Sequence, residues 1–121
     1  MAANLTQERC VACDRNAPRL SEQELAELKP QIPEWQVVDV GGVPRLERTF
    51  KVANFAAALD LTNRIGALAE QEKHHPAITT EWGKVTVAWW THKIKGLHRN
   101  DVVMAAKTDE IAREQAAAAS S

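Results

Sequence analysis

The stretch EQEKHHPAITTEWGKVTVAWWTHKIKGLHRND, from Glu70 to Asp101, decides how this chain is put together. Its first residues close a helical pattern. From Asn54 to about Lys73, Phe55, Leu59, Thr62, Ile65, Leu68 and Ala69 recur at helical spacing, with Asn54 placed as an N-cap. Pro76 ends that helix, because it disfavours helical geometry at His75 and has no amide hydrogen to donate. Beyond it the period drops to two. Ala77 to Trp82, a Gly83-Lys84 turn and Val85 to Thr91 predict a hairpin. In it Val85, Val87 and Trp89 share one face while Thr86, Ala88, Trp90 and His92 share the other, so His92 is expected to terminate a strand. After the loop KIKGLHRN, an amphipathic helix is expected from about Arg99 to Ala117, with Met104, Thr108 and Ile111 inward.

Working outward towards the N-terminus, Val43 to Val52 alternates Leu46, Phe50 and Val52 with Glu47, Thr49 and Lys51, and Gly41-Gly42 joins it to Trp35 to Val40. That is a second hairpin. Before it, Ser21 and Glu24 form a capping-box pattern, Leu25 and Leu28 fall on one face, and Pro30 stops the short helix. The order is helix, hairpin, helix, hairpin, helix. It implies an α+β class: a two-layer fold with a four-stranded antiparallel sheet and helices packed on one face. Such a sheet leaves two edges and an open face, which favours a homodimer or homotetramer.

A chain of 121 residues is the size of one domain, read here as residues 21–118 behind an N-terminal arm, residues 1–20, with a short helical start around Leu5 to Val11. Its net charge of −1 offers no basic surface for nucleic acid or an anionic membrane. No apolar run is long enough to span a bilayer, and MAANLTQERC lacks the regions of a signal peptide, so the expected compartment is cytoplasmic. The arm carries Cys10 and Cys13 as a single CxxC. That is half of a zinc site, and the plain reading is two reduced cysteines.

All four histidines fall in the opening stretch, and three of them, His74, His75 and His92, could converge. His74 and His75 follow a helix C-terminus, where exposed carbonyls and the dipole favour an imidazolium, and His92 closes a strand. Taken singly, each also reads as a cap or a surface residue. Trp89 and Trp90 likewise read as sheet residues, and Glu70, Glu72 and Lys73 as a solvated helix face. A three-histidine metal centre is disfavoured, because adjacent histidines do not readily direct both rings at one ion and no HxH or HxxxH pair is present.

Together, Glu70, His74-His75-Pro76, Trp82, Thr91-His92, Gly96-Leu97 and Asp101 resemble the pattern of the pterin-4a-carbinolamine dehydratases. The resemblance runs back through TFKVANFAAALDLTNRIGALAE to IPEW at Ile32 to Trp35, about three quarters of the chain, and the CxxC arm resembles extensions of some bacterial members. It implies an enzyme that dehydrates the 4a-carbinolamine left when an aromatic amino acid hydroxylase uses tetrahydropterin. The product is quinonoid dihydropterin, and neither a cofactor nor a metal is needed. It implies His74, His75 and His92 as the catalytic histidines, with Glu70 and Asp101 at the margin of the pterin site and Trp82 closing it. Phenylalanine hydroxylase is the implied protein partner. Lys73 and Ile78 depart from animal members, which carry an acidic residue and a Trp there. Those members also act as dimerisation cofactors of a homeodomain transcription factor, the rival reading, although no segment of this chain identifies such a partner.

Overall fold

The computed structural model describes residues 5–8 and 19–120. The elements are α1 (Glu22–Leu28), β1 (Gln36–Val40), β2 (Val43–Lys51), α2 (Phe55–Glu72), β3 (Ala77–Glu81), β4 (Lys84–Trp89) and α3 (Arg99–Ser120). Three-residue 3-10 turns lie at Leu5–Gln7, Lys29–Gln31 and His92–Ile94. The four strands form one antiparallel sheet in the order β1-β2-β4-β3. The expected class and element order are therefore those of the molecule. No helix among the described residues is long and apolar enough to cross a membrane.

Local chemistry sets the element ends where the sequence places them. Ser21 accepts from the Glu24 amide while the Glu24 carboxylate accepts from the Ser21 amide, a complete capping box. Asn54 Oδ1 accepts from the Ala57 amide at 2.8 Å and starts α2. Between β1 and β2, Gly41 and Gly42 both take positive φ, which glycine adopts without steric cost.

One face of the sheet carries the core. Leu46 and Phe50 of β2 and Val85, Val87 and Trp89 of β4 are buried against Leu61, Ile65, Val102 and Met104 of α2 and α3. Trp35, fully buried ahead of β1, donates its indole N–H to Asp109 Oδ1 at 2.8 Å, and Arg48 donates to the same oxygen at 2.7 Å. Burial pushes the Asp109 carboxyl above its usual range, against the pull of these two donors. On the other face, Thr49 and Thr86 pair through their hydroxyls at 3.0 Å.

Four details differ from the sequence reading. The inward stripe of α2 is Ala58, Leu61, Ile65, Ala69 and Glu72, whereas Phe55 and Leu59 are exposed. At 3.6 residues per turn these two lie about a quarter and a third of a turn from the stripe's centre. Small Ala58 permits the close approach and large Phe55 is displaced outward. Strand β4 stops at Trp89, so His92 opens a 3-10 turn rather than closing a strand. Helix α3 reaches Ser120, and Leu5 is fully buried in the core, held by its amide on Gln31 Oε1 at 3.3 Å. Cys10 and Cys13 lie outside the described residues.

Candidate active site

The site is built where α2, the end of β4 and the start of α3 meet. Lys73 ends α2 in the left-handed region at φ 54°, its amide bonding to the Ala69 carbonyl, and the His74 amide donates to the same carbonyl at 3.1 Å. That αL turn redirects the chain and delivers His74 and His75 to different sides.

His74 points inward. Its Nε2–H donates to Asp101 Oδ1 at 2.7 Å, and its ring stacks on Trp89 with centroids 5.7 Å apart and planes 6° apart. Asp101 is fully buried, and its second oxygen accepts from the Thr91 hydroxyl at 2.8 Å and from the His98 amide at 2.9 Å. A carboxylate so surrounded by donors holds the tautomer and plane of the imidazole it faces.

His98 belongs to this lock. It precedes α3, and its Nδ1 accepts from the Asn100 amide at 3.0 Å while Asp101 accepts from the His98 amide. This is a variant of the capping box, with aspartate in place of glutamate returning to the N-cap amide and the N-cap histidine ring accepting from the second rather than the third helical amide. Burial holds the His98 ring below its usual value of 6.5; Asp101 opposes that shift and His74 adds to it. The loop before it is pinned at Thr91, whose amide bonds to the Gly96 carbonyl at 2.9 Å, and at Leu97, whose carbonyl accepts from the Leu20 amide at 2.7 Å.

His75 and His92 are exposed. The Nε2–H of His75 donates to Glu70 Oε2 at 2.5 Å, which leaves Nδ1 as the ring's acceptor when neutral. His92 stacks on Trp90 with centroids 4.5 Å apart and planes 28° apart, and the Arg45 guanidinium carbon lies 3.8 Å from the Trp90 ring centre.

The sheet register explains the division. Ala77 pairs with Ala88, so continuing the ladder sets His75 across from Trp90 and His74 across from Thr91. Cross-strand partners share a face. His74 and Thr91 accordingly meet at Asp101 on the helix side.

Of the six expected site residues, the structure joins His74 to Asp101 and His75 to Glu70 and places His92 three residues beyond β4. Trp82 lies apart from the other five: it is 72% exposed in the β3–β4 turn, separated from the histidine pair by all of β3, about 17 Å of strand. The sequence reading assigned nothing to His98 and took Trp90 as a sheet residue. A capping-box search that admitted histidine would have flagged His98, three residues before Asp101. A groove of about 1140 Å³ lies elsewhere, between β2, α2 and α3, and none of the six expected residues lines it.

Comparison with known proteins identifies the family of the chain. The family model described as Pterin 4 alpha carbinolamine dehydratase matches residues 18–111. A protein of Gloeobacter violaceus, named among the pterin-4-alpha-carbinolamine dehydratases, is 59% identical over 111 residues, covering 92% of this chain and 96% of its own. One from Nitrosococcus oceani is 58% identical over 108 residues, covering 89% and 96%. Among solved structures, a transcriptional coactivator/pterin dehydratase from Brucella melitensis superposes with a TM-score of 0.72 at 33% identity, over 78% of this chain and 99% of its own. A pterin dehydratase-like RuBisCO assembly factor of the alpha-carboxysome, at 20% identity and a TM-score of 0.56 over 65% of this chain and 89% of its own, shares the fold. With the family model spanning the sheet, the histidine pair and Asp101, this chain belongs to the pterin-4a-carbinolamine dehydratase family.

Proposed function

We propose that this member of the dehydratase family removes water from 4a-hydroxytetrahydropterin through His75 and His92, with His74 as a braced imidazole between them and the core. The observation that carries this division is the bond from His74 Nε2–H to a fully buried carboxylate, beside two exposed histidine rings. In the substrate, the N5 lone pair forms the C4a=N5 bond as the C4a–O bond breaks, so the electron push is internal. Two proton movements remain: one onto the departing hydroxyl, which leaves as water, and one off the nitrogen. A placed imidazole contributes to each by about 10² to 10⁴. Glu70, bonded to His75, orients that ring, and the chemistry calls on no cofactor or metal.

The substrate has to come from an enzyme that hydroxylates an aromatic ring with tetrahydropterin, and phenylalanine hydroxylase in the cytoplasm is the supplier we propose. A homodimer or homotetramer is supported by Val37 and Val40, exposed on edge strand β1, and by Phe55 and Leu59, exposed on α2. The same α2 patch favours a second reading, docking of a partner protein. A partner-binding role should survive loss of His75 and His92.

The test follows the decay of enzymatically generated 4a-hydroxytetrahydropterin by ultraviolet absorbance, with a strong chelator and the His75→Ala and His92→Ala variants in parallel. Acceleration that persists with chelator and falls at least about 100-fold in each variant supports the scheme. No acceleration by the folded wild-type protein removes the enzymatic reading. Activity lost to chelator alone would instead call for a metal.

A further inference from the structure

His92 stands outside the strand that should have held it, with its ring on the surface. Among the described residues its ring forms no side-chain hydrogen bond, and what the ring does touch is Trp90. We propose that Trp90 is a positioning residue for His92, and that Arg45 braces Trp90 from the neighbouring strand. The proposal rests on His92 taking part in proton transfer, as above.

The register supplies the brace. Leu46 pairs with Trp89 across β2 and β4, so one further step along the ladder sets Arg45 opposite Trp90. The guanidinium lies 3.8 Å from the ring centre, a cation–π geometry that holds the indole flat on the open face. Arg45 Nε is buried without a hydrogen-bond partner among the described residues. A buried N–H left unpaired carries a desolvation cost, so burial of the Arg45 side chain over the indole is maintained by stacking rather than by polar pairing.

What the indole does follows from what His92 lacks. His74 is fixed by Asp101 and His75 by Glu70, each through a ring nitrogen, and His92 has no carboxylate partner among the described residues. A flat ring beneath it restricts its plane and leaves both nitrogens free for the substrate. Orientation of this kind is worth much to a proton transfer, since misplacement of a catalytic group by about 1 Å can cost about 100-fold in rate.

The experiment compares Trp90→Leu, Trp90→Phe, Arg45→Ala and His92→Ala for kcat and KM on 4a-hydroxytetrahydropterin, and reads the His92 ring protons by NMR in each protein that retains the residue. We expect Trp90→Leu to lower kcat by about tenfold or more with KM within about twofold, and Trp90→Phe to restore most of the loss. Arg45→Ala, a change at a half-buried position, should lower kcat in the same direction by a smaller factor. The His92 ring protons should move downfield in Trp90→Leu as the indole ring current is lost. Wild-type kcat or unmoved His92 protons in Trp90→Leu would overturn the proposal, as would an equal loss in Trp90→Phe. If His92→Ala keeps wild-type kcat, the catalytic reading of His92 falls and the proposal falls with it. If His92→Ala is inactive and Trp90→Leu is not, the proposal alone falls.

Discussion

His74 and Asp101 are joined by a 2.7 Å hydrogen bond that ties the end of α2 to the first turn of α3. The carboxylate also takes the Thr91 hydroxyl and the His98 amide, so a single buried side chain connects two helices and the strand end between them. Asp101→Asn keeps the shape but turns an amide donor towards either His74 or the Thr91 and His98 donors. We expect a loss of about 1–3 kcal/mol in urea unfolding, together with a fall in kcat larger than any change in KM.

Glu70 and His75 form the opposite case. Both are exposed, so their pair should contribute little to stability, within about 1 kcal/mol. Glu70→Gln should therefore leave the melting temperature nearly unchanged and lower kcat, because Gln no longer fixes which nitrogen of His75 carries the proton. Thermal melts beside initial rates check both halves, and a stability loss without a kcat loss would contradict the orienting role.

The cap formed by His98 has a pH sign. Burial holds its folded pKa below 6.5, so between that lower value and 6.5 the unfolded chain binds more protons than the folded one. Its contribution to stability is complete above about pH 6.5 and shrinks as the pH falls below it. His98→Asn keeps an N-cap acceptor and removes the titration. Urea midpoints at about pH 7.5 and about pH 5.5 should differ more in the wild type than in the variant.

Asp109 joins Trp35 of the first hairpin's entry to α3. Asp109→Ala leaves the Trp35 indole N–H buried without its acceptor and Arg48 without its carboxylate, and should cost about 3 kcal/mol. Asp109→Asn retains a carbonyl acceptor for one of the two donors and should cost less. Denaturant unfolding of both variants tests that order.

The legible part of the molecule is the part written in local periods and caps. The two-residue alternation from Val85 to Trp89, the helical recurrence after Asn54, the Ser21–Glu24 box and the Pro76 stop all depend on neighbours within a few residues. The candidate histidines were legible through their residue pattern. Their surroundings were not, because whether each ring meets Asp101, Glu70 or Trp90 depends on the fold. The position of Trp82 was not legible either: an aromatic at the right spacing was expected to close the cavity, and its place at the hairpin tip, a strand's length from the histidine pair, is set by the fold.

By itself the sequence determined the class of fold, the order of the elements and the family pattern, and singled out three candidate histidines, because each is carried by short-range spacing or by residue identity. The tertiary structure alone decided which face of α2 goes inward, that Leu5 enters the core, that His98 caps α3, and that Asp101 receives His74. The bond between His74 and Asp101 joins residues 27 positions apart and the turn at Leu5 packs on α3 still farther along the chain, where the outcome is set by competition for buried volume and by the need of buried donors to find an acceptor.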